Sequence, residues 1–344
     1  MQKPDYTQLL KVLNKQVPDR PTLFEFFLND PLYDYLENGE APVRNDEFDL
    51  IRKRIYGFKN AGYDYCTLHS SGFGFPQKDK ERISSISIND ANSISDWASY
   101  EQYNWPDPES FDYKPLLIKV AAELPEGMKF LVMGPGGVLE NVIALVGYDN
   151  LCIMLFEEPD LVKQIFDDVG SRIVKYYEQS IGYESVFAII SNDDWGFKTQ
   201  TMLSPKDMRK YVFPWHKKIA DLAHRYKKPV ILHSCGQLAD VMDDIIDSMG
   251  YNGKHSFEDA ITPIEEAYEK YKGRIALLGG LDLDFICRST PEEVTFRARA
   301  MIERSAKDGC YALGSGNSIP DYVPTTNYLA MIDVVRKSYD YIGI

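Results

Sequence analysis

A histidine and a cysteine two positions apart, His233 and Cys235 in PVILHSCG (229–236), are the residues of this chain best suited to chemistry. The run leading to them is apolar and β-branched and reads as a strand, where side chains at i and i+2 share one face. An imidazole nitrogen and a thiolate sulfur on one face can grip a metal ion, and that donor pair suits zinc. Without chemistry they are a core histidine beside a buried thiol. A catalytic zinc needs a third protein ligand and an open fourth position. Glu258, at the end of the next run YNGKHSFE (251–258), is the favoured third ligand, and His255 in the same run is the alternative.

Other polar residues finish strand-like runs. Asp193 and Asp194 close VFAIISNDD (186–194) and, with Glu25 in TLFEFF (22–27), are candidate acid-base groups; the two aspartates could equally cap a helix. His69, Trp195, Ser315 and Asn317 also lie at or just past run ends, where a substrate is expected. Cys235 acting as a nucleophile with a histidine is the metal-free alternative, yet no oxyanion-hole motif accompanies it.

The elements that must position these groups are eight short runs: the four already given, with YDYCTLHS (63–70), KFLVMGP (129–135), RIALLGGLD (274–282) and CYALGSG (310–316). Helical segments separate most of them. Ser204-Pro205 and Thr290-Pro291 each supply an N-cap followed by a proline at the first helical position, and Gly309 ends the second helix. Strands alternating with helices pair in parallel, and eight of them favour a closed (β/α)8 TIM barrel with its site at the carboxyl ends of the strands. The rival open sheet lacks its fingerprint, because Gly134, Gly136 and Gly137 do not make GxGxxG. The expected organisation is one domain over residues 1–344, with an N-terminal extension. An aromatic-rich insertion over 72–112, after the second strand, is a candidate lid; its Trp97, Tyr100, Tyr103 and Trp105 could instead pack on the barrel flank.

A formal charge of −14 disfavours nucleic-acid binding, which relies on basic side chains neutralising phosphates. No stretch approaches the roughly 18 apolar residues of a membrane span. Five irregularly spaced cysteines and an N-terminus unlike a secretory signal lead to the expectation of a reducing, cytoplasmic location.

PVILHSCG followed by ALLGGLD and YALGSGNSIPDYVP, with NDDWGFKTQTMLSP upstream, resembles the uroporphyrinogen decarboxylase superfamily. Within it the likeness is to the corrinoid-dependent methyltransferases, and it runs from about Arg20 to the end of the chain. The resemblance implies the (β/α)8 barrel and zinc on a His-x-Cys pair at the end of the fifth strand, which His233 and Cys235 match. Two departures matter. Decarboxylases carry an Arg-rich segment after the first strand, where this chain has RPTLFEFFLND with Glu25. Relatives that methylate coenzyme M place a second zinc-binding Cys in a Gly-Cys-Gly turn, where this chain has Gly314-Ser315-Gly316. A carboxylate in place of that thiolate leaves a stronger Lewis acid. The resemblance therefore implies transfer of a methyl group from a methoxylated, aromatic substrate to the Co(I) corrinoid (cobalamin) of a partner protein docked at the barrel mouth. Reverse transfer to a thiol, decarboxylation, and a non-catalytic binding protein remain as alternatives. The oligomeric state stays open, a homodimer being allowed.

Overall fold

The computed structural model describes residues 3–77 and 93–337. Its centre is a seven-stranded, all-parallel sheet whose strands lie side by side in chain order. They are β1 (Tyr65–His69), β2 (Lys129–Met133), β3 (Val186–Asn192), β4 (Val230–His233), β5 (Gly253–His255), β6 (Ala276–Leu278) and β7 (Tyr311–Ala312). Each falls inside a run expected from apolar, β-branched content. Both faces are covered, so these strands are buried nearly throughout, as sequential parallel strands with helical crossovers must be.

The eighth expected strand, 22–27, takes a different form. It makes isolated parallel bridges, Leu23 with Leu313 and Leu28 with Ile319, rather than a ladder. On its other side, hydroxyl groups replace main-chain partners: the Glu25 amide donates to the Tyr65 hydroxyl (2.7 Å), and the Thr67 hydroxyl donates to the Phe26 carbonyl (2.7 Å). Pairing through side chains satisfies the buried backbone without a regular strand.

The expected helix boundaries hold at their starts. The Ser204 hydroxyl accepts from the Asp207 amide, and Thr290 and Glu293 form a reciprocal capping box. The segment after Ser204 is not uniform, however. Met208–Val212 forms a wide π turn before helix Phe213–Arg225, where Pro214 brings a residue without an amide donor. Of the insertion, residues 78–92 lie outside those described. The remainder packs on the flank, against helix Pro159–Ile181: the Tyr100 hydroxyl donates to Asp168 (2.6 Å), and the Arg172 guanidinium lies 4.9 Å from the Trp105 ring centroid. No single helix among the described residues is long and apolar enough to cross a membrane.

Candidate metal centre

β4 ends at His233, level with Asn192 of β3 and His255 of β5. The chain then turns through Ser234, Cys235 and Gly236. Gly236 adopts φ +89°, and a Cβ there would collide with the carbonyl of Gly196 in the loop after β3. A Cβ on Gly196 would in turn crowd the Gln237 amide. Two glycines thus let the loops after β3 and β4 touch, and the Cys235 amide donates to Asp194 Oδ1 (2.8 Å).

The consequence is a three-residue group. Ligand atoms of Asp194, His233 and Cys235 all lie within 4.8 Å of one another, an oxygen, a nitrogen and a sulfur at the carboxyl ends of adjacent strands. Tetrahedral coordination with bonds of about 2.0–2.3 Å sets ligands roughly 3.3–3.8 Å apart, which small side-chain rotations reach from here. The donor set therefore fits a borderline-soft divalent ion.

Hydrogen bonding fixes which imidazole nitrogen is available. The Ser315 carbonyl only accepts, so His255 Nε2, 3.2 Å away, carries a proton. Burial pushes the His255 pKa down to about 3, keeping the ring neutral and its Nδ1 a bare acceptor. His233 Nδ1, 2.8 Å from that atom, must then be the donor, which leaves the His233 Nε2 lone pair for a metal. Phe26 packs on the His233 ring (4.4 Å between centroids), and Phe24 meets His255 edge-on (5.1 Å). Around the sulfur, Asn317 Nδ2 donates to Cys235 Sγ (3.4 Å), and the Ser256 hydroxyl stands 3.5 Å away. Burial, then the negative Asp194, raises the metal-free Cys235 thiol to about 12.

The residue that the structure brings to His233 and Cys235 is Asp194, and Glu258 and His255, the expected third ligands, lie outside that group. His255 spends both nitrogens on His233 and Ser315. Past β5 the Phe257 amide bonds the Gly316 carbonyl, and the turn that follows leaves half-buried Glu258 lining a separate small cavity with Lys254 and Ser256. Asp193, expected as an acid-base group, is a helix cap instead. Its carboxylate accepts from the amides of Leu139 and Glu140 at the start of helix Val138–Val146 (2.9 Å each) and from His216 Nε2 (2.9 Å). The two adjacent aspartates point opposite ways, one into the wall and one to the mouth.

Trp195, expected against substrate, is fully buried behind that wall, edge-on to His216 (4.7 Å) and beside Phe213 (5.1 Å). Ser315 is buried too, its hydroxyl and amide both donating to Glu25 (2.7 and 3.2 Å). Glu25 has no exposed surface, and burial pushes its pKa up to about 8. It supports the Ser315 turn from inside rather than facing the mouth. His69 is exposed at the end of β1 and Asn317 is half-buried beside Cys235, so these two remain at the open face. Two groups escape a motif reading. Glu140 is pushed up to about 8 by burial and then by Asp193 and Asp194, and Lys254 is a buried cation on β5. A charged residue inside the short run YNGKHSFE was the available signal for the second.

A parallel α/β fold with a metal-competent group at its strand ends is the class that sheet and site define. The family model described as uroporphyrinogen decarboxylase (URO-D) matches residues 78–338, and the chain belongs to that family. The uroporphyrinogen decarboxylase of Anaeromyxobacter sp. (strain Fw109-5) is 26% identical over 191 residues, 55% of this chain and 52% of that protein. Its counterpart from Anaeromyxobacter dehalogenans (strain 2CP-C) is 25% identical with the same coverage. The chain spans about half the length of the curated relatives it matches. A solved structure, a methyltransferase from Methanosarcina mazei, superposes with a TM-score of 0.74 over 98% of this chain and 100% of that one. At 16% identity that likeness is one of fold.

Proposed function

We propose that this chain is a zinc-dependent methyltransferase of the URO-D family, on a barrel closed by residues 22–28 as the eighth stave. It takes a methyl group from a methoxylated, aromatic compound and delivers it to the Co(I) corrinoid of a partner protein. The observation that carries the reading is the Asp194–His233–Cys235 group, with the His233 Nε2 lone pair left available by the bond to His255.

Bound zinc supplies Lewis acidity toward an ether oxygen. The chain's own residues do the rest. His255 fixes the His233 tautomer, Asn317 and Ser256 orient the Cys235 sulfur, and the paired glycines bring Asp194 to it. A carboxylate as third donor keeps the ion more electron-poor than a second thiolate would, which suits an oxygen leaving group over thiol activation. The strand ends leave the mouth, with His69 at its edge, for the methyl donor and the approaching cobalt.

The names of the curated relatives suggest a second reading, decarboxylation of a porphyrinogen. The segment where those enzymes need arginines holds Glu25 here, whose carboxyl is already buried against Ser315, and a polycarboxylate gains nothing from it. The assay that separates the readings incubates zinc-loaded protein with Co(I) cobalamin and a panel of methoxylated arenes. Appearance of the methyl-cobalt spectrum supports methyl transfer. Porphyrinogen decarboxylation without any methyl-cobalt product refutes it.

A further inference from the structure

Lys254 sits in the middle of β5, facing away from His255, with 3% of its surface exposed. Its ammonium donates to the carbonyl of Ser234 (3.2 Å) and to that of Ser256, and lies 4.3 Å from the Phe257 ring centroid. The first carbonyl belongs to the peptide that leads into Cys235, and the second to the residue whose hydroxyl touches the Cys235 sulfur. No ion pair among the described residues includes Lys254. A cation buried this deeply normally requires a charge partner. The anionic groups its charge reaches are Cys235, Asp194 and Glu258; the last, half-buried in the cavity it lines with Lys254, forms no ion pair with it.

The charge count of the centre follows, resting on the metal reading above. A divalent ion on neutral His233, the Cys235 thiolate and the Asp194 carboxylate has no net charge. Lys254 adds one positive charge behind it, in a chain whose overall charge of −14 repels anions. We propose that Lys254 is a positioning residue that makes the open coordination position selective for an anion, such as the phenolate or alkoxide released when a methyl ether is cleaved. It does so through its positive charge, without touching the ligand; burial pulls the Lys254 pKa down to about 8, so the charge is held below that pH.

The test uses protein loaded with Co2+ in place of zinc, whose visible spectrum reports ligands at the metal. Thiocyanate serves as the anionic probe and imidazole as the neutral one. K254M is expected to weaken thiocyanate at least tenfold while imidazole changes less than about twofold, since a buried unit charge acts on anions alone. K254R is expected to recover part of the loss. Equal affinities in wild type and K254M overturn the proposal. So does equal weakening of both probes, which marks a packing role. Failure of wild-type protein to take up Co2+ removes the metal reading itself and this inference with it.

Discussion

Replacing Glu25 with Gln tests how this fold holds an acid in its interior. The carboxyl has no exposed surface and accepts from the Ser315 hydroxyl and amide, bonds a Gln oxygen can keep in part. Burial moves its titration from 4.5 to about 8. The folded state therefore binds a proton that the unfolded chain has already lost between those values, and stability from this group falls as pH rises through that window. Below pH 4.5 the group adds no penalty; above about 8 it costs roughly 4–5 kcal/mol. Urea unfolding of metal-free wild type and E25Q across pH 5 to 9 measures the difference. The variant is expected to match or fall slightly below wild type at pH 5 and to exceed it by a few kcal/mol at pH 9. A pH-independent difference between the two proteins refutes the reasoning, because it means Glu25 titrates as an ordinary exposed carboxyl.

Asp193→Ala removes two helix-cap bonds and the partner of His216 Nε2, so a loss of about 2–4 kcal/mol in unfolding free energy is expected, read by chemical denaturation. Asp194→Ala is expected to leave the fold near wild-type stability and to lower zinc affinity at least tenfold in a chelator competition, whereas Glu258→Ala changes that affinity little. His255→Leu takes away the acceptor that orients His233, and a fall of about 10–100-fold in zinc affinity is expected from the same competition. Gly236→Ala forces a side chain into the Gly196 carbonyl at φ +89°, and is expected to lower both the melting temperature and metal uptake.

The seven strands were legible because buried parallel strands are short runs of Val, Ile, Leu and aromatic residues between capped helices, as in VFAIIS and PVILH. The segment 22–27 reads the same way, yet on the β1 side its partners are the hydroxyls of Tyr65 and Thr67, and side-chain substitution for a ladder leaves no periodic trace. The His233 and Cys235 pair followed from spacing of two, although only His233 is on the strand and Gly236 completes the geometry. Asp194 as the third member of that group did not follow. Its approach depends on Gly196 and Gly236 meeting across two loops, a contact between positions 40 apart that no local pattern encodes. Asp193 and Asp194 read as a pair in the sequence, because which one faces the mouth depends on where helix Val138–Val146 begins. Trp195 illustrates the opposite limit: an aromatic residue past a strand end is as well placed to seal the wall as to meet a ligand.

X-ray absorption at the zinc edge of metal-replete protein, with an anomalous difference map from its crystals, addresses the coordination most directly. One sulfur and lighter donors around a single ion per chain are expected, with density between Cys235 Sγ, His233 Nε2 and an Asp194 oxygen, and with the sulfur signal lost in Cys235→Ser. An ion bound through Glu258 or through oxygen donors alone, or no ion between those three side chains, contradicts the account.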